Sequence, residues 1–160
     1  KPRPVTGNFS RNCNMRLKSI ISTIAILSTF LCFGQFKDYN NTVGFVCGGA
    51  GSSTPIVSRV YEKIDGKKYN EIVAMLYSKN AAENFLAVVV CEKLSEKQKI
   101  KLTEKDLKKV AEHYKSNKTV EVCGGCTFMG FVKLSVLLKN QDEDKTRDDA
   151  EEWMKDMFTE

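Results

Sequence analysis

Histidine is nearly missing from this chain of 160 residues, where His113 stands alone. No His-dependent triad can be assembled around an obvious nucleophile. His113 also falls off the apolar stripe of its own segment and is expected to be solvated. Long hydrophobic runs are scarce too. The longest, residues 20–33, falls short of the roughly 20 residues that a membrane span needs. A second pair of metal ligands is lacking: one Cys-x-x-Cys is present, while Cys47 and Cys91 are scattered, so no metal site is expected. Net charge is low once its source is located. The chain carries 25 basic and 20 acidic residues, but five of the bases (Lys1, Arg3, Arg11, Arg16 and Lys18) precede Gln35, where there is no acid. The remainder is close to neutral, which removes any electrostatic case for nucleic acid or an anionic membrane.

What is present first is a leader. Arg16 and Lys18 follow Met15, an apolar stretch runs from Ile20 to Phe33, and Cys32 and Gly34 are small residues before Gln35. That is the n-region, h-region and small-residue order of a secretory signal peptide. Residues 15–34 are therefore expected to be a signal peptide and residues 1–14 non-native upstream sequence. The product is expected in a periplasm or outside the cell, with no membrane attachment after cleavage. Residues 35–53, rich in Asn and Gly, read as a flexible N-terminal segment, and residues 54–160 as one helical domain.

The helical reading rests on caps and spacing. Thr54-Pro55 has the form of a helix start, with Pro at N1. Ile56, Val57, Val60, Tyr61 and Ile64 then share a face, up to Asp65-Gly66. Tyr69, Ile72, Val73, Leu76 and Tyr77 continue helical spacing. Asn80 caps a third segment, with Glu83 in the capping-box position. Residues 85–91 are apolar almost all round, the mark of a central helix; a buried strand is the rival reading. Thr103 and Asp106 cap a helix with Leu107, Val110, Ala111 and Tyr114 on one face. Residues 127–139 carry Phe128, Phe131, Val132, Leu134 and Leu138 at helical spacing, and residues 147–158 carry Ala150, Trp153, Met154, Met157 and Phe158. The expected fold is all-α: a single small domain of about six helices, stacked as antiparallel pairs or as an irregular bundle.

Within residues 68–94 the string IVAMLYSKNAAENFLAVVVCEKL resembles a HEAT-type helical hairpin. Leu76 ends the first helix, Ser78-Lys79-Asn80 makes the tight turn, and Phe85, Leu86, Val89, Val90 and Leu94 line the second helix. The resemblance implies paired, stacked helices of the kind that scaffold protein binding, and it implies no ligand.

Four cysteines follow the leader: Cys47, Cys91, Cys123 and Cys126. An even count in an exported chain points to at least one disulfide, and three complete pairings are open. Cys91 lies in the apolar segment and reads as a buried free thiol. Cys123-Gly124-Gly125-Cys126 admits two readings, a structural bridge within the motif or to Cys47, and a redox pair. An extended segment at 119–122, the motif, then a helix would be the thioredoxin order, in which a helix N-terminus lowers the thiol pKa. That family needs a proline after the motif, and Pro2, Pro4 and Pro55 all precede it. Val46-Cys47-Gly48-Gly49 and Val122-Cys123-Gly124-Gly125 repeat four letters, either as two equivalent turns or by coincidence.

These residues favour an exported, non-enzymatic domain that binds another protein, of the inhibitor or immunity type, with no cofactor. The alternative is a periplasmic thiol–disulfide protein acting through Cys123 and Cys126.

Overall fold

The computed structural model describes residues 39–47, 51–125 and 127–158, with backbone alone at 127–129 and 156. The segments expected to be upstream sequence and signal peptide, much of the flexible segment, and Cys126 lie outside the described residues.

A short 3-10 turn, Tyr39–Asn41, leads into strand β1, Thr42–Val43. Helices α1 (Pro55–Asp65), α2 (Tyr69–Met75), α3 (Ala81–Glu96) and α4 (Glu104–His113) follow. Strands β2 (Thr119–Gly124) and β3 (Thr127–Lys133) come next, then α5 (Leu134–Leu138) and α6 (Thr146–Phe158). None of these helices is long and apolar enough to cross a membrane.

α3 is the central helix that its composition predicts. Phe85, Leu86, Ala87, Val88 and Cys91 have no exposed surface, and Ala82, Val89, Val90 and Leu94 are buried with them. A helix buried on every side needs its ends and polar groups satisfied from within. The Asn80 side chain accepts from the backbone N–H of Ala82 at 2.9 Å and of Glu83 at 3.4 Å. Buried Asn84 donates to the carbonyls of Met75 (3.0 Å) and Ser78 (3.1 Å), which ties the α2–α3 turn to the helix below it. α4 carries a full capping box between Thr103 and Asp106. Asp106 also accepts from the Tyr77 hydroxyl at 2.7 Å, and the bonds from Thr103 and Tyr77 hold its carboxyl below the ordinary carboxylate range. At α1 the expected Pro is at N1, but Thr54 makes no side-chain cap bond.

The all-α expectation is corrected at the other end of the domain. The six α-helices pack against a three-stranded mixed sheet of order β1-β2-β3. β1 pairs in parallel with β2 (Thr42 beside Glu121, Val43 beside Val122), and β2 pairs antiparallel with β3 from Thr119–Lys133 to Gly124–Thr127. Residues 127–139, expected as one helix, are therefore β3 followed by the single turn of α5. Phe128, Phe131 and Val132 satisfy a helical period, but two glycines decide otherwise. Gly125 opens the hairpin turn at φ 58°, and Gly130 interrupts the segment at φ 120°, both left-handed values that favour glycine. Gly130 lies opposite Val122 while Phe128 lies opposite Cys123, so a β-bulge separates the two pairs. The helices are thus not a stack of pairs alone: Val43, Val120 and Val122 of the sheet share one core with α1, α3, α5 and α6.

Candidate functional site

The chemistry-bearing residues converge at the end of the sheet. β1 runs on through Gly44 and Phe45 to Cys47, alongside the end of β2. The Gly125 N–H donates to the Val46 carbonyl at 2.6 Å, and Cys47 forms a further parallel bridge with Gly125. This brings Cys47 and Cys123, 76 residues apart in sequence, to a Cα separation of 5.9 Å, and they form a disulfide. The approach depends on Gly44. A Cβ there would lie 2.7 Å from the Cys123 sulfur, 2.9 Å from its carbonyl oxygen and 2.9 Å from the Cys47 Cβ. The loop is fixed from its other side by Cys47 N–H to Ser52 O at 2.8 Å and Thr54 N–H to Gly44 O at 2.9 Å.

Val46 and Cys47 therefore run beside the end of the second Val-Cys-Gly-Gly segment, although the register sets Cys47 beside Gly125 rather than beside Cys123. Beneath them, the Thr42 hydroxyl donates to the buried carboxylate of Glu121, which joins β1 to β2 through side chains as well as backbone.

Of the four cysteines, Cys126 lies outside the described residues and Cys91 is free and buried in α3. Burial, then the charges of Asp106 and Glu92, push the Cys91 thiol up to about 12, so it is neutral and inert at physiological pH. Cys123 and Gly124 of the motif end β2, and β3 begins at Thr127. A strand rather than the expected helix follows the motif, so the strand, motif, helix order is not the one found. Among the described residues no group of three or more His, Cys, Asp or Glu side chains is placed to hold a metal ion.

Beside the disulfide lies an open groove of about 480 Å³, lined by Phe45, Val46, Gly124 and Gly125 on one side and by Asp149, Glu152 and Trp153 of α6 on the other. The Phe45 and Trp153 rings stand 5.3 Å apart, tilted by 45°. Asp149 and Glu152 are one turn apart on the same helix, and both line the groove. Burial first, then the neighbouring charges of Asp148, Asp142 and Asp144, raise the Asp149 carboxyl above its ordinary value.

Two polar clusters escaped the reading of the sequence. His113 is buried rather than solvated, with its Nε2 at 2.7 Å from the Leu76 carbonyl. A carbonyl only accepts, so Nε2 carries the proton and donates. Burial lowers the pKa of the ring, and His113 is neutral at pH 7. Arg147 at the start of α6 binds Glu92 of α3 (2.7 Å), the Tyr114 hydroxyl (2.6 Å) and the Leu138 carbonyl (2.6 Å). Partial burial opposes its charge, and the bonds to Glu151, Tyr114 and Glu92 more than offset that. Arg147 thereby locks α6, and the groove wall it carries, onto the helical core. No spacing rule links positions 92, 114 and 147. Comparison of the chain with protein-family models, curated proteins and solved structures finds no match.

Proposed function

We propose that this is an exported, non-catalytic domain that binds another protein, and that the Cys47–Cys123 disulfide clamps its binding end. The observation that carries the reading is the clamped groove itself. Cys123 of a cross-link between distant segments lines it, aromatic and acidic side chains line it as well, and α6, which carries one of its sides, is anchored through Arg147. A disulfide of this kind belongs to an oxidising compartment, in keeping with the leader at residues 15–34. Rigid walls around an aromatic centre suit recognition, because little side-chain freedom is lost on binding.

Two measurements test it. A photoreactive benzoylphenylalanine placed at Val46, which is 56% exposed at the groove edge, is expected to give one discrete protein adduct in the source cells. No adduct from that position overturns the binding reading. An insulin-reduction assay is expected to show no turnover.

The second reading, thiol–disulfide exchange, is favoured by one observation: Cys123 is already disulfide-bonded, lines an open groove, and lies three positions from Cys126. Turnover in the insulin assay that vanishes in Cys123→Ser would establish that reading instead.

A further inference from the structure

We infer that the groove between the hairpin and α6 takes a basic side chain, arginine in preference to lysine, presented by the partner protein. The inference rests on the protein-binding reading and names the chemistry of the contact.

The groove has two features that a cation uses and an anion or a plain apolar group does not. The first is the Phe45–Trp153 pair, whose ring faces attract a cation, Trp most strongly. The second is the pair of carboxylates at Asp149 and Glu152. Among the described residues the Asp149 side chain makes no ion pair or hydrogen bond, while the Glu152 carboxylate is shared with Lys155. The other local base of α6, Arg147, is committed to Glu92, Tyr114, Glu151 and the Leu138 carbonyl. The segment that carries both carboxylates is acidic: residues 142–152 hold seven acids against Lys145 and Arg147. Burial first, then the charges of Asp148, Asp142 and Asp144, raise the Asp149 carboxyl, and an incoming cation offsets the charge part of that shift. An apolar occupant would bury the Asp149 charge without a partner, which is costly. A planar guanidinium suits the site better than an ammonium, because it can lie on the Trp153 ring and still donate to a carboxylate at its edge.

The chain's single tryptophan, Trp153, lines this groove, so its fluorescence reports occupancy directly. The secreted protein is titrated with the blocked tripeptides Gly-Arg-Gly, Gly-Lys-Gly, Gly-Glu-Gly and Gly-norleucine-Gly, and with spermidine. The expected result is a saturable change with Gly-Arg-Gly, a weaker one with Gly-Lys-Gly, and none with the Glu and norleucine peptides. Affinity for Gly-Arg-Gly is expected to fall about tenfold in Asp149→Asn/Glu152→Gln, the loss of one charge-assisted contact. It should also weaken in wild type at about 0.5 M salt, where charge attraction is screened. Equal response to all four peptides, no response to Gly-Arg-Gly, or an affinity unchanged in the double variant overturns the proposal. Saturation by spermidine alone overturns it in favour of a free polyamine. None of these failures bears on the adduct expected from Val46, which tests protein binding whatever the chemistry of the contact.

Discussion

Around Phe85 the chain is held by apolar burial and by caps whose partners lie a few residues away. Around Cys123 it is held by partners 76 residues away through the disulfide and 79 residues away through the Thr42–Glu121 bond. The helical half spends its sequence on one property, a core in which α3 has no polar face. The hairpin end carries a thin strand pair, a bulge, two left-handed glycines and a covalent clamp, and it is there that acids and aromatics meet at the surface. The first region holds most of the apolar core. The second is shaped by constraints that the core alone would not impose, which is the division expected when a scaffold holds a recognition surface.

The contrast can be broken most forcefully in the helical half. Phe85→Ala removes a side chain with no exposed surface from the middle of α3 and is expected to cost about 3–5 kcal/mol. Urea unfolding followed by circular dichroism measures it, and a loss under about 1 kcal/mol would show that α3 is not the centre of the core.

At the clamp, Cys47→Ser/Cys123→Ser opens a 76-residue loop and is expected to cost about 4 kcal/mol through the freed unfolded chain. Helical circular dichroism should persist at low temperature. Gly44→Ala should act on the same bond by crowding both cysteines, and thiol trapping of the purified variant should find a larger reduced fraction than in wild type. Equal fractions would show that the approach at Gly44 is not needed for closure.

A smaller effect is expected at the α4 cap, where Thr103→Ala removes one half of the capping box for about 1 kcal/mol.

The smallest effect depends on pH. His113 is neutral in the fold and its pKa is lowered by burial. Below the ordinary histidine value of about 6.5 the unfolded chain takes up a proton that the folded chain resists, so stability is full above that value and falls as the pH drops through it. His113→Gln should flatten this part of the curve, as read from urea midpoints at a series of pH values. An unchanged curve would separate His113 from the acid sensitivity.

The same contrast explains what could be read from the sequence. Helices α1 to α4 and α6 were legible because their signals are local: Pro55 at N1, the Asn80 and Thr103 caps, and stripes such as Ala150, Trp153 and Met154. β3 was not, because Phe128, Phe131 and Val132 fit a helical period, and the choice lies in Gly125, Gly130 and pairing with a strand that is itself paired to β1. Cys47 and Cys123 were both legible as bridge candidates, but the sequence could not fix which cysteines join. His113 was misplaced because its partner is a carbonyl at the end of α2, outside any stripe. The groove was invisible for a related reason: Phe45 and Trp153 meet only once β1 and α6 are folded against one core.

The central claim is that binding belongs to the hairpin end and not to the helices. Val46 at the groove and Leu107 on α4 are equally open, 56% and 55% exposed, which makes them matched positions for a photoreactive residue. The measurement is crosslinking from each position in the source cells, with adducts compared by mass. The account predicts one discrete partner adduct from Val46 and none from Leu107. An adduct from Leu107 with none from Val46 would contradict it.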